Sequence, residues 1–443
     1  MTENSKVANF LFLLSMVFVL FQKQPILGAL MFFSLGIVFQ ELIIAQLIFV
    51  TLFESALIVE SGITIGKLLT FLYVVYFIVF IIIKKLKLKF RNINYIIIFS
   101  IISIIGLLNV LFNQEVINFA GGAKTILTDV FLKYMPRILF FILINIYIKN
   151  KGINFIKESI LNVTKTVNYF IIILLIYFTL NFQIASWFNL VDRFFLENID
   201  PNEFSIIIIS FIPFVAFNLI KKKHFYLKIL SFAAYGIIFY LTILTASRSG
   251  FITFIFATFI IIYFFGFIKI SNRSFFTTIG LLVVIIIVLD AGIIDIDKIF
   301  VRFTFYGNDL SMTTARRVDF WKNAIELFPH RPFIGYGLSP FASRYYNGIG
   351  TGTPNVMHNI FIQTLFQLGL FGLISLILLL KHPFENKILF KLREKDKVLL
   401  QPYLSFLILL FGGMSLSWLW RELIWIYLAV CYAITNLILY EDT

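Results

Sequence analysis

Cysteine is almost absent from this sequence, because Cys431 is the only one among 443 residues. A single cysteine excludes a disulfide within the chain and a metal site built from several thiolates. Charge is scarce as well: Asp, Glu, Lys and Arg make up 14% of the residues, whereas 60% are hydrophobic. An average soluble domain carries about 25% charged residues. The composition therefore indicates a membrane protein and excludes an ordinary soluble enzyme.

Polar stretches are short, since the apolar residues fall in long uninterrupted blocks. The blocks run over 8–21, 26–39, 42–59, 65–83, 94–112, 137–148, 165–184, 204–220, 228–245, 250–268, 275–290, 358–380, 398–418 and 422–440. Because a span needs about 20 residues, these blocks predict an all-α polytopic membrane protein with about 12–14 transmembrane helices. The short blocks 8–21 and 26–39 are expected to form one re-entrant or strongly tilted pair.

The net charge of +14 does not indicate a nucleic-acid partner. The positive residues cluster at the ends of apolar blocks, at 84–91, 149–157, 221–223, 269–273 and 381–397. The positive-inside rule predicts this distribution for cytoplasmic loops. A nucleic-acid groove would instead interleave basic and aromatic residues on a folded polar surface. We therefore expect no nucleic-acid partner, cytoplasmic N- and C-termini, and outward loops at 113–136, 185–203, 246–249, 291–357 and near Arg421.

One outward loop, residues 291–357, is far longer than a usual connection between helices. It divides the chain into an N-terminal transmembrane bundle (1–290), this large extracytoplasmic loop (291–357) and C-terminal transmembrane helices (358–443). Within the loop, residues 315–328 predict an amphipathic helix at the membrane surface. Its expected apolar face consists of Val318, Trp321, Ile325 and Phe328. Beyond the helix, Pro332, Gly335 and Gly337 predict a turn. Gly348, Gly350 and Gly352 then predict a flexible segment before His358.

Arginine is unexpectedly frequent on the outward side, where the positive-inside rule disfavours it. Arg248 is the clearest case, because the segment LTASRSG places it between two apolar blocks. A guanidinium at that depth is costly unless it is paired or hydrated, and its fork of donors fits a phosphate group. The functional interpretation is an anion site, and the alternative is an arginine that snorkels and pairs with Asp or Glu. The outward arginines are Arg193, Arg248, Arg302, Arg316, Arg317, Arg331 and Arg344.

His358 opens an apolar block in the segment MHNIFIQ, in which Asn359 can orient its ring. A neutral imidazole at the outer surface can accept a proton from an attacking hydroxyl, although a histidine at a span boundary can also be structural. Trp321 and Tyr336 can stack on sugar faces or anchor the chain at the interface. The histidines and outward acids show no spacing typical of metal ligands, so we expect no metal.

The motifs resemble those of the O-antigen polymerase and O-antigen ligase superfamily in order and spacing over about residues 190–380. An Arg-x-x-x-Trp element is followed by a Pro-x-x-Gly-x-Gly turn, a His-Asn pair and a Gly-x-x-Gly element. Further upstream, TASRSG and DRFFLENIDPNEFS resemble the Ser-Arg and Arg…Pro-Asn elements of the same superfamily. The residues that carry the resemblance are Arg193, Pro201, Asn202, Arg248, Arg317, Trp321, Pro332, Gly335, Gly337, His358, Asn359, Gly369 and Gly372.

The resemblance implies a membrane glycosyltransferase of the bacterial inner membrane that uses neither a metal nor a cofactor. It would polymerise oligosaccharide repeats carried on undecaprenyl pyrophosphate at the outer leaflet. Arg248 and Arg317 would bind the pyrophosphate with help from Arg193, and His358 would activate the acceptor hydroxyl. The doubled arginine leaves open whether Arg316 or Arg317 contacts phosphate. Further substrate-binding residues would be Asn202, Trp321, Tyr336 and Asn359, and further partners would be membrane lipid, a chain-length regulator and a flippase.

Two alternatives remain open from the sequence. An O-antigen ligase transfers the finished glycan to a lipid A core, and no motif separates it from a polymerase. A polysaccharide or lipid transporter is the alternative from another class of proteins. Transporters commonly show inverted repeats and broken spans with acidic residues near the midplane, and this sequence shows neither.

Overall fold

The computed structural model describes residues 3–21, 25–50, 58–60, 63–86, 93–133, 135–181, 200–220, 225–245, 247–267, 311–352, 355–416 and 421–440. Nearly all of these residues are helical, and two short strands, β1 (Ile58–Glu60) and β2 (Ile63–Thr64), pair antiparallel. Short 3₁₀ segments cover Gln40–Leu42, Phe328–His330 and His382–Lys387. The helices are α1 (Glu3–Phe21), α2 (Pro25–Val38), α3 (Ile43–Val50), α4 (Ile65–Ile83), α5 (Ile93–Leu111), α6 (Gln114–Phe119), α7 (Ala123–Lys133), α8 (Met135–Asn181), α9 (Pro201–Ile209), α10 (Ile212–Ile220), α11 (Phe225–Leu244), α12 (Arg248–Phe265), α13 (Ser311–Leu327), α14 (Pro340–Thr351), α15 (Ile360–Lys381), α16 (Ile388–Lys395), α17 (Lys397–Gly413) and α18 (Glu422–Tyr440).

The predicted all-α polytopic membrane protein is confirmed. By length and composition, six helices of the described residues can cross a membrane, or up to seven if one bent pair forms a single span. The 12–14 spans expected from the sequence stay a prediction. Blocks 137–148 and 165–184 lie on the two sides of a break at Gly152 in α8, whose described part ends at Asn181, and block 275–290 lies outside the described residues. Four shorter apolar helices cover Val7–Val17, Lys67–Ile83, Ser249–Phe265 and Lys397–Gly413.

A sharp bend occurs near the start of the chain, between the second and third apolar blocks. Helical segments Gly28–Val38 and Gln40–Phe49 meet at 119°. The Gln46 amide donates to the carbonyl of Phe32 across the bend, and Lys151 donates to the side chain of Gln40. These polar contacts stabilise this bend. The re-entrant or strongly tilted pair expected from the first two blocks stays a prediction, because residues 22–24 between them lie outside the described residues.

The core of the bundle is formed around α8 and α18, which pack against each other. Trp425, Tyr427 and Tyr432 of α18 are all buried, because neighbouring helices surround this helix. Apolar side chains on α5 and α11, such as Ile101 and Phe232, are instead exposed. Exposed apolar surface on spanning helices is what contact with lipid chains requires.

Basic residues gather at one end of the bundle, which we call the basic end. Lys157 forms an ion pair with Asp396 at 2.6 Å, and Lys397 Nζ donates to the carbonyl of Phe265 at 2.8 Å. Phe265 is the last residue of α12, and Lys397 is the first residue of α17. Helix α12 therefore starts, and α17 ends, at the opposite end of the bundle.

We call this opposite end the site end. The start of α18 lies here beside the start of α9, because Arg421 forms an ion pair with Glu203. The start of α4 lies here as well, since the Thr70 hydroxyl donates to Glu422 at 2.7 Å. The helices thus alternate in direction, with lysines concentrated at one end and helix starts concentrated at the other.

The predicted helix in the long loop is confirmed as α13, but its buried face is different, and its location at the membrane surface stays a prediction. Phe320 and Ala324 are buried in a small cluster, whereas Ile325 is 61% exposed and Trp321 is half-buried. The side chain of Val318 and residues 291–310 lie outside the described residues. The three-part domain division therefore stays a prediction.

The flexible glycine segment expected before His358 is helical instead. Gly348 and Gly350 lie inside α14, which extends to Thr351. Asn323 of α13 packs directly on Gly350, where a Cβ atom would collide with its amide. The same amide donates to Asn347 Oδ1 at 2.9 Å. Gly350 therefore serves a close approach between two helices, and Gly352 is the left-handed residue that ends α14.

The turn predicted after Pro332 is confirmed, and it docks against an interruption in α15. The N–H groups of Tyr336 and Gly337 donate to the carbonyls of Phe366 and Gln367 at 2.9 and 2.8 Å. These carbonyls are left without helical partners, because Gly369 has a φ of 66° and breaks the helix. We call residues 331–338 the docked loop. Its backbone replaces the hydrogen bonds that the break removes, as buried backbone groups require.

Replacing Gly335 with alanine should destabilise the protein by about 2–5 kcal/mol, through a left-handed backbone and a steric clash. Gly335 has a φ of 64°, and a Cβ atom there would lie 2.5 Å from the carbonyl oxygen of Phe366. The matched control is Gly121→Ala, because Gly121 is also left-handed (φ 78°) but meets no atom within 4 Å. The control should cost only about 1–2 kcal/mol. Thermal unfolding in detergent measures both, and equal losses would contradict the close packing of the docked loop.

Candidate active site

Three of the helices that begin at the site end are each capped by a side chain. Asp200 accepts a hydrogen bond from the N–H of Asn202 at 2.7 Å at the start of α9, and Ser247 accepts one from Gly250 at 2.9 Å in α12. Asn359 accepts two bonds, at 3.0 and 3.1 Å, from N–H groups in the first turn of α15. Helix starts carry a partial positive charge. Their convergence produces an environment that favours an anion.

The starts of α9 and α12 are in direct contact. The Ser247 hydroxyl donates to Asn202 Oδ1 at 2.8 Å. Gly250 of α12 packs so closely on Ser205 of α9 that a Cβ atom at position 250 would collide with it. Arg248 is the first residue of α12, so its backbone lies beside Asn202. The structure thus brings together two sequence elements that were singled out separately, although the side chain of Arg248 lies outside the described residues.

Arg317 and Asn359 both reach the end of α17. Arg317 Nη1 donates to the carbonyl of Ser415 at 3.4 Å, and Asn359 Nδ2 donates to the carbonyl of Met414 at 2.7 Å. Helix α13, which carries Arg317, is thereby tied to the start of α15. The half-buried guanidinium consequently lies within the same group of helix ends as the caps.

His358 is held in an unusual backbone conformation just before α15. Its φ of 51° is left-handed, which is uncommon for a residue other than glycine and tends to occur at functional sites. The preceding residue is fixed by Trp321, whose indole N–H donates to the carbonyl of Met357 at 2.8 Å. Trp321 thus positions the backbone of the histidine.

The tautomer of His358 follows from its neighbour Asn355. Asn355 Oδ1 accepts the N–H of Val356 at 2.8 Å, which identifies this atom as the amide oxygen. The same oxygen lies 3.3 Å from His358 Nε2. Since an oxygen acceptor requires a donor, Nε2 carries the proton in the neutral ring. The lone pair is then on Nδ1, which is the atom able to accept a proton.

The pKa of His358 is lowered from 6.5 to about 4. Burial is the largest cause, and the positive charges of Arg317 and Arg344 lower it further, while the carboxylate of Asp200 opposes them. The ring is therefore neutral at physiological pH. Arg317, Asp200 and Arg344 therefore all lie close enough to the histidine to affect its pKa.

Replacing Arg344 with glutamine should raise the pKa of His358 above about 4, because the substitution removes a positive charge that disfavours the protonated ring. Arg344 is exposed, so the fold should tolerate the change. Titration of the histidine ring by NMR measures the shift. Arg393→Gln is the control, since Arg393 lies over Tyr263 among the helices of the basic end. A pKa that stays the same or falls in Arg344→Gln would contradict the proximity of the two groups.

Tyr336, expected to contact sugar, is part of the protein interior. Its side chain is 5% exposed, and its hydroxyl donates to the carbonyl of Leu327 at 2.8 Å. The ring stacks on Phe366 with centroids 4.8 Å apart, and the guanidinium of Arg331 lies 5.4 Å from the ring centre. These contacts hold the docked loop against α13 and α15.

The structure brings most predicted site residues to one end of the bundle. His358, Arg317, Trp321 and Asn359 are linked through their hydrogen bonds and charges, and Asn202 joins them through its neighbour Asp200. Three predicted arginines are not fully described. The backbones of Arg248 and Arg316 are described but their side chains are not, and Arg193 lies outside the described residues.

Several residues of this site were missed from the sequence. Asp200 precedes Pro201 and Asn202, and Asp before Pro at a helix start is a signal that could have identified it as a cap. The carbonyls of Met414 and Ser415 carry no such signal, because every residue has a carbonyl group. The described residues contain no group of three or more His, Cys, Asp or Glu that could hold a metal ion.

Comparison with known families matches residues 233–377 to the O-antigen ligase family. The matched stretch covers less than half of the chain and includes Arg248, Arg317 and His358. The resemblance inferred from the motifs is confirmed over these residues, and it supports a glycan-handling membrane enzyme of the O-antigen ligase and polymerase type. The search among curated proteins found no match to this chain.

Proposed function

We propose, starting from the match of residues 233–377 to the O-antigen ligase family, that this chain is a membrane glycosyltransferase that polymerises lipid-linked oligosaccharide repeats. The donor would be a glycan on undecaprenyl pyrophosphate, and the product a surface polysaccharide. The observation that carries this proposal is the neutral His358 beside Arg317, at the point where three helix starts converge. This arrangement provides a proton acceptor next to a site for a negatively charged leaving group.

The pyrophosphate of the donor would bind at the helix starts. The side chain of Arg317 lies beside them and the backbone of Arg248 begins α12, so these are the two arginines that we propose for bidentate hydrogen bonds to phosphate oxygens. Arg193 and Arg316 are further candidates for the same role. Helix starts and arginines together stabilise the negative charge that develops as the sugar leaves the phosphate.

The acceptor hydroxyl would attack the anomeric carbon of the donor sugar. A glycosidic bond forms, the bond between the anomeric carbon and the phosphate oxygen breaks, and undecaprenyl pyrophosphate leaves with the electron pair. Nδ1 of His358 accepts the proton of the hydroxyl and later releases it to water. A pKa near 4 makes the free ring a weak base. Bound pyrophosphate would offset the charge of Arg317 and raise this pKa, so the base would strengthen when the donor is present.

The site end would face outward from the bacterial inner membrane, where lipid-linked repeats are presented. Lysines concentrate at the basic end, and the positive-inside rule places such residues in the cytoplasm. Thr435, late in α18, donates to the carbonyl of Pro383 at the basic end, which supports a cytoplasmic C-terminus. A flippase that delivers repeats and a regulator of chain length are partners that this reaction would need.

Reconstitution of the purified protein with an undecaprenyl-pyrophosphate-linked repeat tests the proposal. A ladder of products on a gel supports polymerisation. Transfer to an added lipid A core, without a ladder, supports the O-antigen ligase named by the matching family. Substrate that stays chemically unchanged contradicts glycosyl transfer and favours transport of the lipid-linked glycan.

A further inference from the structure

Three amide side chains follow each other at intervals of four residues at the start of α15. Asn359 is fully used by the protein, because it caps the helix and donates to Met414. Gln367, two turns further on, donates to the carbonyl of Ser339 at 2.9 Å and to the hydroxyl of Ser343 at 3.1 Å. The first and third amides therefore have structural partners within the protein.

Gln363, the amide between them, is different. Its side chain is 1% exposed, yet within the described part of the chain neither its amide nitrogen nor its amide oxygen has a hydrogen-bond partner. Buried polar groups of native proteins almost always have a partner, since leaving one unpaired destabilises the fold. A buried amide without partners, one helical turn below a catalytic candidate, indicates a group that is kept for a ligand.

The position of Gln363 limits which part of a substrate it can meet. It lies one turn, about 5.4 Å, below Asn359, whose side chain faces the end of α17. Gln363 follows Asn359 by four residues, so these two amides share one face of the helix, and His358 is the residue directly before Asn359. Arg317 contacts Ser415, next to the Met414 carbonyl that Asn359 contacts, so its guanidinium lies near the level of Asn359 rather than of Gln363. A phosphate oxygen could pair only with the amide nitrogen of Gln363, whereas a sugar hydroxyl can pair with either the nitrogen or the oxygen.

We propose that Gln363 binds hydroxyl groups of the acceptor sugar and orients the attacking hydroxyl toward His358. This inference rests on the proposed glycosyl transfer. A carboxamide has one acceptor and two donor hydrogens, so it can pair with two neighbouring hydroxyls of a sugar. The acceptor would complete the hydrogen bonds that the protein leaves open. The donor pyrophosphate would be held separately by the arginines.

The first test measures stability without substrate. Gln363→Met keeps the side-chain volume but removes the unpaired amide, so its thermal unfolding midpoint should be higher than that of the wild type. Gln367→Met is the matched control on the same helix. It leaves the partners of Gln367 at Ser339 and Ser343 unpaired, so its midpoint should fall. A midpoint that falls in Gln363→Met as well would show that Gln363 is structural and would overturn the proposal.

The second test measures acceptor binding with the repeat oligosaccharide released from its lipid carrier by mild acid. This probe lacks pyrophosphate, so it can act as an acceptor but not as a donor. It should raise the unfolding midpoint of the wild type, since a ligand that binds only the folded state stabilises it, and it should not raise that of Gln363→Met. With the lipid-linked donor, the variant should show a KM for the acceptor raised about tenfold, the loss expected for one hydrogen-bonding group. Wild-type protein that does not respond to the probe, or a variant that responds equally, overturns the subsite.

These experiments distinguish failure of the sugar subsite from failure of the proposed function. If the wild type forms no new glycosidic bond but the released oligosaccharide still stabilises it through Gln363, the sugar subsite stands and glycosyl transfer fails. If the wild type forms a ladder and Gln363→Met forms the same ladder at the same acceptor concentrations, glycosyl transfer stands and the subsite fails.

Discussion

Replacing Arg317 with alanine is expected to lower the rate of glycan transfer by about 10²–10³-fold while the protein stays folded in the membrane. The guanidinium lies beside His358 and contacts the end of α17, at the point where three capped helix starts converge. Its charge would stabilise the pyrophosphate as the sugar departs, and its planar fork of donors would bind two phosphate oxygens at once. Arg317→Lys should recover only part of the activity, since an ammonium group keeps the charge but not the fork of donors.

Arg331→Ala is the matched control for this prediction. Arg331 lies at the same end of the bundle, but it donates to Asn109 at 3.1 Å and lies over the ring of Tyr336. It holds the docked loop, so its loss should lower stability more than the rate of transfer. The measurement is the initial rate of ladder formation by reconstituted protein, normalised to the folded fraction. Arg317→Ala protein with normal chain growth would remove the pyrophosphate site.

Replacing His358 with alanine should lower the transfer rate by about 10²–10⁴-fold, the usual contribution of a general base. The ring is neutral above about pH 4, and its protonated form would be inactive. Wild-type kcat/KM should therefore keep its value as the pH falls from 7 toward 5, with an acid limb near pH 4. At saturating donor the limb should move to higher pH, because bound pyrophosphate raises the pKa of the ring. The acid limb should be missing from the residual activity of His358→Ala.

The pKa of His358 also affects stability, with a defined sign. The unfolded chain protonates this histidine at about 6.5 and the folded protein only at about 4, so acid favours the unfolded state between these values. The unfolding midpoint of the wild type should fall as the pH decreases through this window, and that of His358→Gln should fall less.

For the transfer rate, His330→Ala is the control, because His330 is exposed. A transfer rate reduced equally in His330→Ala and His358→Ala would contradict the assignment of His358 as the base.

The membrane class and the positions of most helices follow from the sequence, because apolar blocks and basic linkers are local features. Which residues of the long loop are buried cannot be predicted in the same way. Trp321 and Ile325 were assigned to its apolar face by spacing, whereas Phe320 and Ala324 are the residues that pack against the docked loop. Helical spacing locates an apolar face only to within one position when aromatic residues lie on both sides of it. Tertiary contacts then decide which side is buried.

The sequence predicts those residues of the candidate site whose side chains have a distinctive chemistry. His358 and Arg317 stand out because a histidine and outward arginines are unusual in such a sequence. Asp200 and Gln363 do not stand out, since acids and amides are common near helix starts. Their significance appears only when residues separated by more than a hundred positions meet. Gln363 in particular is identified by the partners that it lacks, which no sequence pattern records.

The docked loop has a consequence for how the enzyme would work. Because the backbone of residues 336 and 337 completes the hydrogen bonds of the interrupted helix α15, neither element can shift along the other without breaking several of these bonds at once. Tyr336 of the docked loop also donates to the carbonyl of Leu327, so α15, which is capped by Asn359 next to His358, is tied to α13, the helix that carries Arg317. In the proposed reaction, this would set the histidine and the arginine at a fixed separation before substrate arrives, so that little reorganisation would be needed as charge develops. A long glycan would then gain access through movement of other parts of the protein, while His358 and Arg317 stay in place.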